Sequence, residues 1–118
     1  MPLHLTEGVG HWVLFAIHPQ EGVIQCLDPM GAPYLDMLYL LAEVMGETAR
    51  WWGQEARLWL LEPTNMRVQQ PGDTTNCGAY VCAFAQAISR DTSIIIGDVD
   101  EYRMMLFQVY DSTLYLIK

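Results

Sequence analysis

A histidine, an aspartate and a cysteine occur in an order that could support thiol chemistry. His11 opens the run HWVLFAI, Asp28 ends the run VIQCLD, and Cys77 follows the polar stretch QPGDTTN. A carboxylate that accepts a hydrogen bond from one imidazole nitrogen orients the ring and stabilises its protonated form. An imidazole held in this way can take the proton of a thiol, and the resulting thiolate is a strong nucleophile. The three residues are therefore a candidate nucleophile, base and orienting acid.

The first two of these residues lie on a predicted β-hairpin. His11–Ile17 and Val23–Asp28 are rich in aromatic and β-branched residues, and the turn-forming stretch HPQEG joins them. A turn centred on the Pro-Gln pair predicts a register in which His11 lies directly opposite Asp28. Directly opposed residues have Cβ atoms about 4.5–5.5 Å apart, so we expect a hydrogen bond between the two side chains. An exposed polar pair across two strands would fit the same pattern.

Cys77 is predicted to open an amphipathic helix over Cys77–Arg90. The free N–H groups and partial positive charge at a helix N-terminus favour a thiolate. Gly78 leaves space beside the sulfur for a substrate backbone. In the predicted loop Gln70–Asn76, the Gln70 amide could donate to a developing oxyanion alongside the backbone N–H of Cys77. A small buried cysteine and a solvated glutamine are the alternatives that the pattern leaves open.

The other two cysteines are predicted to be structural. Cys26 lies in a predicted strand, and Cys82 lies in the helix among apolar neighbours. An odd number of cysteines without a recognisable secretory signal indicates an intracellular, reducing compartment such as the cytoplasm or nucleus, or a host cell. No CxxC or HxxxH spacing occurs, so we expect neither a metal site nor a cofactor.

Charge and hydropathy restrict the partners. The net charge of −8, with only six Lys and Arg, argues against binding to nucleic acid. An acidic surface favours a protein partner or substrate with basic segments, although it could equally serve solubility alone. The most apolar stretch, Leu38–Met45, is short and contains Glu43, so no membrane span is expected.

The remaining pattern predicts one α+β domain over residues 1–118. Hydrophobic residues make up 52% of the chain and charged residues 17%, which favours a folded core over disorder. Helices and strands are mixed, with a hairpin early in the chain, and this order is typical of α+β folds. The further predicted elements are strand Pro2–Leu5, helix Tyr34–Gly46, strands Ala56–Leu61 and Asn65–Gln69, and helix Val99–Leu114 with Asp98 as its N-cap.

Two stretches together resemble a known protease family. GHWVLFAIHPQEGVIQCLDPMG and VQQPGDTTNCGAYVCAFAQAI are similar to the catalytic half of the Ulp/SENP-type proteases and of the related adenovirus maturation protease. The family has His-Trp on a strand, an acid at the end of the next strand, then Gln, a short loop, and Cys-Gly opening a helix. The resemblance covers about Pro2 to Arg90.

The resemblance implies a papain-like cysteine protease fold of the Ulp/adenain type. Its small central, mostly antiparallel sheet would be flanked by helices, with the nucleophile at a helix N-terminus. Cys77 would be the nucleophile, His11 the base and acid, Asp28 the orienting acid and Gln70 the oxyanion donor. Trp12 would line the channel for a narrow substrate tail. The implied activity is cleavage after small residues, at the Gly-Gly tail of a ubiquitin-like protein or at sites in a viral polyprotein.

Several departures from the family pattern affect the expected partners. Asn76 stands where SUMO-type members have Asp, and the loop from Gln70 to Cys77 has the longer, adenoviral length. Only ten residues precede His11, where family domains normally carry a helical portion. We therefore expect a minimal or truncated domain that forms a homodimer or needs an activating partner chain. The alternatives are a catalytically impaired module that binds ubiquitin-like proteins and an effector acetyltransferase with the same triad.

Overall fold

The computed structural model describes residues 1–5, 10–55, 57–73, 75–93 and 97–106. Its strands are β1 (Pro2–Leu5), β2 (His11–His18), β3 (Val23–Leu27) and β4 (Leu60–Glu62). Its helices are α1 (Leu35–Trp51) and α2 (Cys77–Ser89), and residues 99–106 are also helical. None of the helices among these residues is long and apolar enough to cross a bilayer.

The strands form one mixed sheet in the order β1-β2-β3-β4. The β1-β2 and β2-β3 pairs are antiparallel, whereas β3 and β4 are parallel. Helices and this small sheet together make an α+β fold, so the predicted fold class is confirmed. The expectation that the sheet is mostly antiparallel is also confirmed.

The sheet is covered by a helix on each face because β2 and β3 bury side chains in both directions. On one face, Val13 and Phe15 of β2 pack with Ile24 and Cys26 of β3 and with Leu38 of α1. On the other face, a second cluster contains Leu14, Leu27, Tyr80, Val81 and Phe84, three of them from α2. This packing brings the N-terminal end of α2 close to the start of β2.

The predicted register of the hairpin is wrong by two residues. Leu14 pairs with Leu27 and His18 pairs with Val23, so the turn lies one residue later than the Pro-Gln pair. The turn has four residues and closes with a hydrogen bond from Gly22 N–H to the His18 carbonyl at 2.9 Å. Gly22 has a φ of +72°, which residues other than glycine rarely adopt. Because side chains alternate along a strand, a shift of two residues leaves each side chain on its predicted face.

Helix α1 extends beyond the predicted end at Gly46. Gly46 is helical, and the apolar spacing continues to Ala49. The helix ends instead in a Schellman motif, in which Gly53 N–H donates to Arg50 O at 3.0 Å and Gln54 N–H donates to Ala49 O at 2.8 Å. Gly53, with a φ of +68°, is therefore the glycine that ends this helix.

The strand predicted at Ala56–Leu61 is mostly absent. The strand β4 covers only Leu60–Glu62, residues 57–59 are not in a strand, and Ala56 lies outside the described residues. The apolar run does not mark a buried strand, since Leu58 is 97% exposed. The strand predicted at Asn65–Gln69 is also absent. These residues instead dock on the turn after β3, where Val68 and Gln69 N–H both donate to Pro29 O.

The helix predicted over Val99–Leu114 begins as expected. Residues 99–106 are helical, and the remainder of the prediction lies outside the described residues. Asp98 Oδ1 accepts hydrogen bonds from Asp100 N–H at 2.9 Å and Glu101 N–H at 3.3 Å. These are the contacts of an N-cap residue.

Candidate active site

His11 and Asp28 are in direct contact. His11 Nε2 lies 2.5 Å from Asp28 Oδ1, although their residues are not directly opposed. Continuing the observed register places Asp28 opposite Val13, so His11 and Asp28 are diagonal neighbours across the two strands. Diagonal neighbours on one face of a sheet are within reach of long side chains. The expected contact is therefore present with a different register. It leaves His11 Nδ1 as the ring nitrogen that does not face Asp28.

The Asp28 carboxylate is fixed by the turn that follows β3. Asp28 is 1% exposed, and Met30 N–H donates to Oδ1 and Ala32 N–H to Oδ2, each at 2.9 Å. Asp28 N–H itself donates to Thr64 Oγ1 at 3.0 Å. A carboxylate with this many donors is held in one orientation, and it presents one oxygen to His11.

Cys77 is the first residue of α2, as predicted, and its sulfur lies beside β2. The Trp12 N–H points at Cys77 Sγ at 3.4 Å, so the residue after His11 lies against the thiol. Cys77 is 6% exposed. Among the hydrogen bonds of the described residues, none joins His11 to Cys77 directly. Contacts of this kind are often long in unliganded enzymes and tighten when substrate binds.

Trp12 and Gly78 lie against each other beside Cys77. The side chain that Gly78 lacks would meet Trp12 Cδ1 at 3.6 Å, so the indole covers the glycine. On its other side, the Trp12 ring lies 4.7 Å from the His4 ring, centroid to centroid. Trp12 remains 40% exposed. The indole therefore forms a partly open wall next to the thiol.

The two adjacent glutamines before the loop have different environments. Gln69 is 2% exposed, its Nε2 donates to Asp73 O at 2.6 Å, and its buried Oε1 has no partner among the described residues. Gln70 is exposed, and no side-chain hydrogen bond is formed by it within the described part of the chain. The Gln69 side chain is therefore buried inside the loop, whereas the Gln70 amide is exposed to solvent.

Asp73 organises the loop between Gln70 and Cys77. Its Oδ1 accepts the N–H groups of Thr75 at 3.0 Å and Asn76 at 3.2 Å, and its Oδ2 accepts Asn76 Nδ2 at 2.9 Å. The Thr75 N–H and then the Asn76 side chain are the main causes that lower the pKa of the Asp73 carboxyl. The carboxylate form of Asp73 therefore stabilises the loop.

The other two cysteines differ from each other. Cys26 is buried as predicted, and burial raises the pKa of its thiol. The prediction that Cys82 is buried in the helix packing is wrong, because Cys82 is exposed. The face of α2 that packs on the sheet contains Tyr80, Val81 and Phe84, and Cys82 is not among the buried residues of this helix.

Sequence reasoning missed the residues that support the site. Thr64 binds the backbone of Asp28, Gln69 and Asp73 shape the loop, and Arg103 reaches the residue before Cys77. The contacts of Thr64 and Arg103 join segments far apart in the chain, so no local spacing signals them. The contacts of Gln69 and Asp73 are local, but the sequence pattern pointed to the loop Gln70–Asn76 and to Gln70, and not to the buried Gln69.

Comparison with known protein families agrees with the α+β fold. No curated protein matches the chain. The model of the Ulp1 protease family, C-terminal catalytic domain, matches residues 1–112, which is nearly the whole chain. This family consists of cysteine peptidases, whose substrates are proteins. The chain therefore belongs to the Ulp1 protease family.

Proposed function

We propose that the chain is a cysteine peptidase that uses Cys77, His11 and Asp28 as its catalytic triad. The observation that carries the proposal is the 2.5 Å contact between His11 Nε2 and the fixed, buried Asp28 carboxylate. The N–H of Trp12, the residue after His11, lies 3.4 Å from Cys77 Sγ, and this supports a role of the His11–Asp28 contact in thiol chemistry. A buried acid that served only the turn would need its backbone donors but not an imidazole.

The acylation step follows from these positions. His11, through the ring nitrogen that does not face Asp28, takes the proton of the Cys77 thiol. The sulfur attacks the carbonyl carbon of the scissile bond, and the carbonyl oxygen becomes an oxyanion. The Gln70 amide and the Cys77 N–H donate to that oxyanion. The C–N bond then breaks, His11 gives its proton to the leaving amine, and an acyl-thioester on Cys77 remains.

The deacylation step regenerates the enzyme. His11 takes a proton from water, and the resulting hydroxide attacks the thioester carbonyl carbon. The C–S bond breaks, the acid product leaves, and His11 returns the proton to Cys77. Asp28 stays ionised throughout and stabilises the imidazolium in both steps.

The proposed substrate is the Gly-Gly tail of a ubiquitin-like protein. Trp12 lies against Gly78 beside the thiol and is 40% exposed, so its indole is available to one side of a narrow substrate tail without large side chains. The net charge of −8 favours a substrate protein with basic surface segments. Sites after small residues in a polyprotein are the second substrate class that this geometry favours.

The setting that suits this chemistry is intracellular and reducing. The nucleophile must remain a free thiol, and oxidation beyond the sulfenic acid is not reversed by ordinary reductants. We also propose that a second copy or an activating partner chain covers part of the surface. Trp51 and Trp52 are 87% and 78% exposed, and such apolar surface on a soluble protein usually marks a contact site.

Hydrolysis of defined substrates tests the proposed function. Ubiquitin, SUMO and a small-residue peptide, each with a fluorophore at the C-terminal carboxyl, are incubated with the protein. We expect release of the fluorophore from at least one of them, its loss in Cys77→Ala, and its retention in the matched control Cys82→Ala. Release that persists in Cys77→Ala, or no release from any substrate, would contradict the proposal.

A further inference from the structure

Asn76, the residue directly before Cys77, is held by the last described helix. Its side chain is buried, and Oδ1 accepts a hydrogen bond from Arg103 Nη1 at 3.0 Å. Its Nδ2 donates to Asp73 Oδ2 at 2.9 Å and to Asp100 Oδ1 at 3.4 Å. Arg103 and Asp100 both belong to the helical residues 99–106. This helix therefore fixes both ends of the Asn76 amide.

The contacts of Asn76 differ from those that an asparagine usually makes directly before a helix. Asn76 occupies the N-cap position of α2, where the side-chain oxygen normally accepts a backbone N–H of the first turn. Its side chain makes no such bond in this structure. The oxygen that would cap the helix accepts a hydrogen bond from Arg103 instead. A favourable local contact is thus given up for a contact across the fold.

We propose that Arg103 is a positioning residue for Cys77, a role that rests on the proposed function of the site. By holding Asn76 away from the cap position, Arg103 fixes the peptide that joins Asn76 to Cys77. The thiol and the N–H of Cys77 are then aimed consistently at the substrate carbonyl. Without Arg103, the Asn76 side chain turns to cap α2, and the orientation of Cys77 relative to His11 changes.

The helix that contains Arg103 makes a second contact with α2. This contact allows an experiment to separate a positioning role of Arg103 from a purely structural one. The Tyr102 hydroxyl and the Gln86 side chain are hydrogen-bonded at 2.9 Å, and this contact does not involve Asn76. Tyr102→Phe therefore removes a contact of the same helix, one residue from Arg103, and leaves the contact between Arg103 and Asn76 in place. It is the matched control for Arg103→Met.

The experiment compares wild type, Arg103→Met and Tyr102→Phe in three readouts. These are kcat and KM on the best substrate, the rate of iodoacetamide alkylation of Cys77, and the thermal midpoint. For Arg103→Met we expect kcat to fall by up to about 100-fold, as small misplacements of reacting groups do, with KM changed by less than about twofold. Alkylation of Cys77 should slow in parallel. Tyr102→Phe should lower the midpoint and leave kcat and alkylation near wild type.

A double-mutant cycle shows whether Arg103 acts through Asn76. Asn76→Ala alone should lower kcat as Arg103→Met does, and adding Arg103→Met to Asn76→Ala should lower it no further. Unchanged kcat and alkylation in folded Arg103→Met would overturn the proposal. If Arg103→Met does not fold, Asn76→Ala decides: wild-type kcat and alkylation in that variant would overturn it. If the wild type has no peptidase activity, the proposed function is contradicted, and the alkylation rate of Cys77, which needs no substrate, still decides the role of Arg103: an unchanged rate in Arg103→Met would overturn it.

Discussion

At the scale of single residues, Asp28 has a structural task in the turn after β3 and a proposed chemical task beside it. One carboxylate oxygen meets His11 and Met30 N–H, while the other accepts Ala32 N–H. The backbone contacts hold the turn after β3 closed whether or not the imidazole is present. The imidazole contact is not needed to close the turn, and the residue after His11, Trp12, points its N–H at Cys77, the only thiol that begins a helix among the described residues.

Asp28→Asn should remove most of the activity. The amide cannot accept a hydrogen bond at both former oxygen positions, so either His11 or a backbone N–H loses its partner. In triads of this kind the acid-to-amide change lowers kcat by as much as about 10⁴-fold. Steady-state kinetics on a fluorogenic substrate measure the effect, with the thermal midpoint as the control for folding. A folded Asp28→Asn variant with kcat within a few-fold of wild type would remove Asp28 from the mechanism.

The three thiols should differ in reactivity in an order that exposure alone does not give. Cys77 should react first with limiting iodoacetamide near neutral pH, because a helix begins at it and the N–H of Trp12, the residue after the proposed base His11, points at its sulfur. Cys82 is exposed but has no such surroundings, and Cys26 is buried with the pKa of its thiol raised by burial. Peptide mapping by mass spectrometry gives the order. Modification of Cys82 ahead of Cys77 would mean that accessibility, and not activation, controls the chemistry.

At the scale of elements, the site is assembled where β2, the turn after β3 and the start of α2 meet. The hairpin supplies His11 and Asp28, and α2 packs on the sheet so that Cys77 lies beside Trp12. The segment around Thr64 crosses the end of β3 and ties the turn to the rest of the fold. The Thr64 hydroxyl lies 3.2 Å from Cys26 O as well as 3.0 Å from Asp28 N, so one side chain links two residues on either side of Leu27 in the segment it crosses.

Thr64→Val should destabilise the protein and loosen Asp28. The valine fills similar space but leaves the Asp28 N–H without its partner, which costs about 1–3 kcal/mol for a buried donor. Urea denaturation measures the change in the free energy of unfolding. Thr64→Ser keeps the hydroxyl and is the matched control, which should lie much closer to wild type. Equal stability of the Val and Ser variants would show that this hydroxyl does not support the turn.

The sequence allowed some of these elements to be predicted but not how they pair. The hairpin was recognisable from two strand-like runs around HPQEG, yet the length of its turn depended on Gly22 and not on the proline. The end of α1 depended on which glycine adopts a positive φ, and Gly53 does so while Gly46 does not. The run ARLWLL predicted a buried strand, but burial requires a partner surface, and β4 pairs with β3 over only three residues.

At the scale of the whole molecule, a well-packed centre contrasts with apolar side chains left on the outside. The sheet is covered by α1 and α2, while Trp51, Trp52 and Leu58 are largely exposed. The candidate triad could be predicted from residue types and order, supported by a family resemblance. The supporting contacts of Thr64 and Arg103 could not, because they depend on how distant segments pack, and those of Asp73 could not, because they depend on the conformation of its loop.

The exposed apolar surface predicts that the chain associates in solution. Sedimentation velocity over a range of concentrations, with peptidase activity measured on the same samples, should show a dimer or activity that requires an added partner chain. Trp51→Ser with Trp52→Ser should weaken self-association without changing Cys77 alkylation, since neither tryptophan lies at the site. A fully active monomer of 13.4 kDa at every concentration would contradict this prediction.

The most direct test of the central claim is a covalent probe that imitates the substrate. Ubiquitin and SUMO that carry an electrophile in place of the C-terminal carboxyl are incubated with the protein, and any adduct is mapped by mass spectrometry. The account predicts a single adduct on Cys77, formed with at least one of the probes and greatly slowed in His11→Ala and Asp28→Asn. The matched variant Cys82→Ala should react as wild type does. An adduct on Cys26 or Cys82, or one on Cys77 that forms equally fast without His11, would contradict the account.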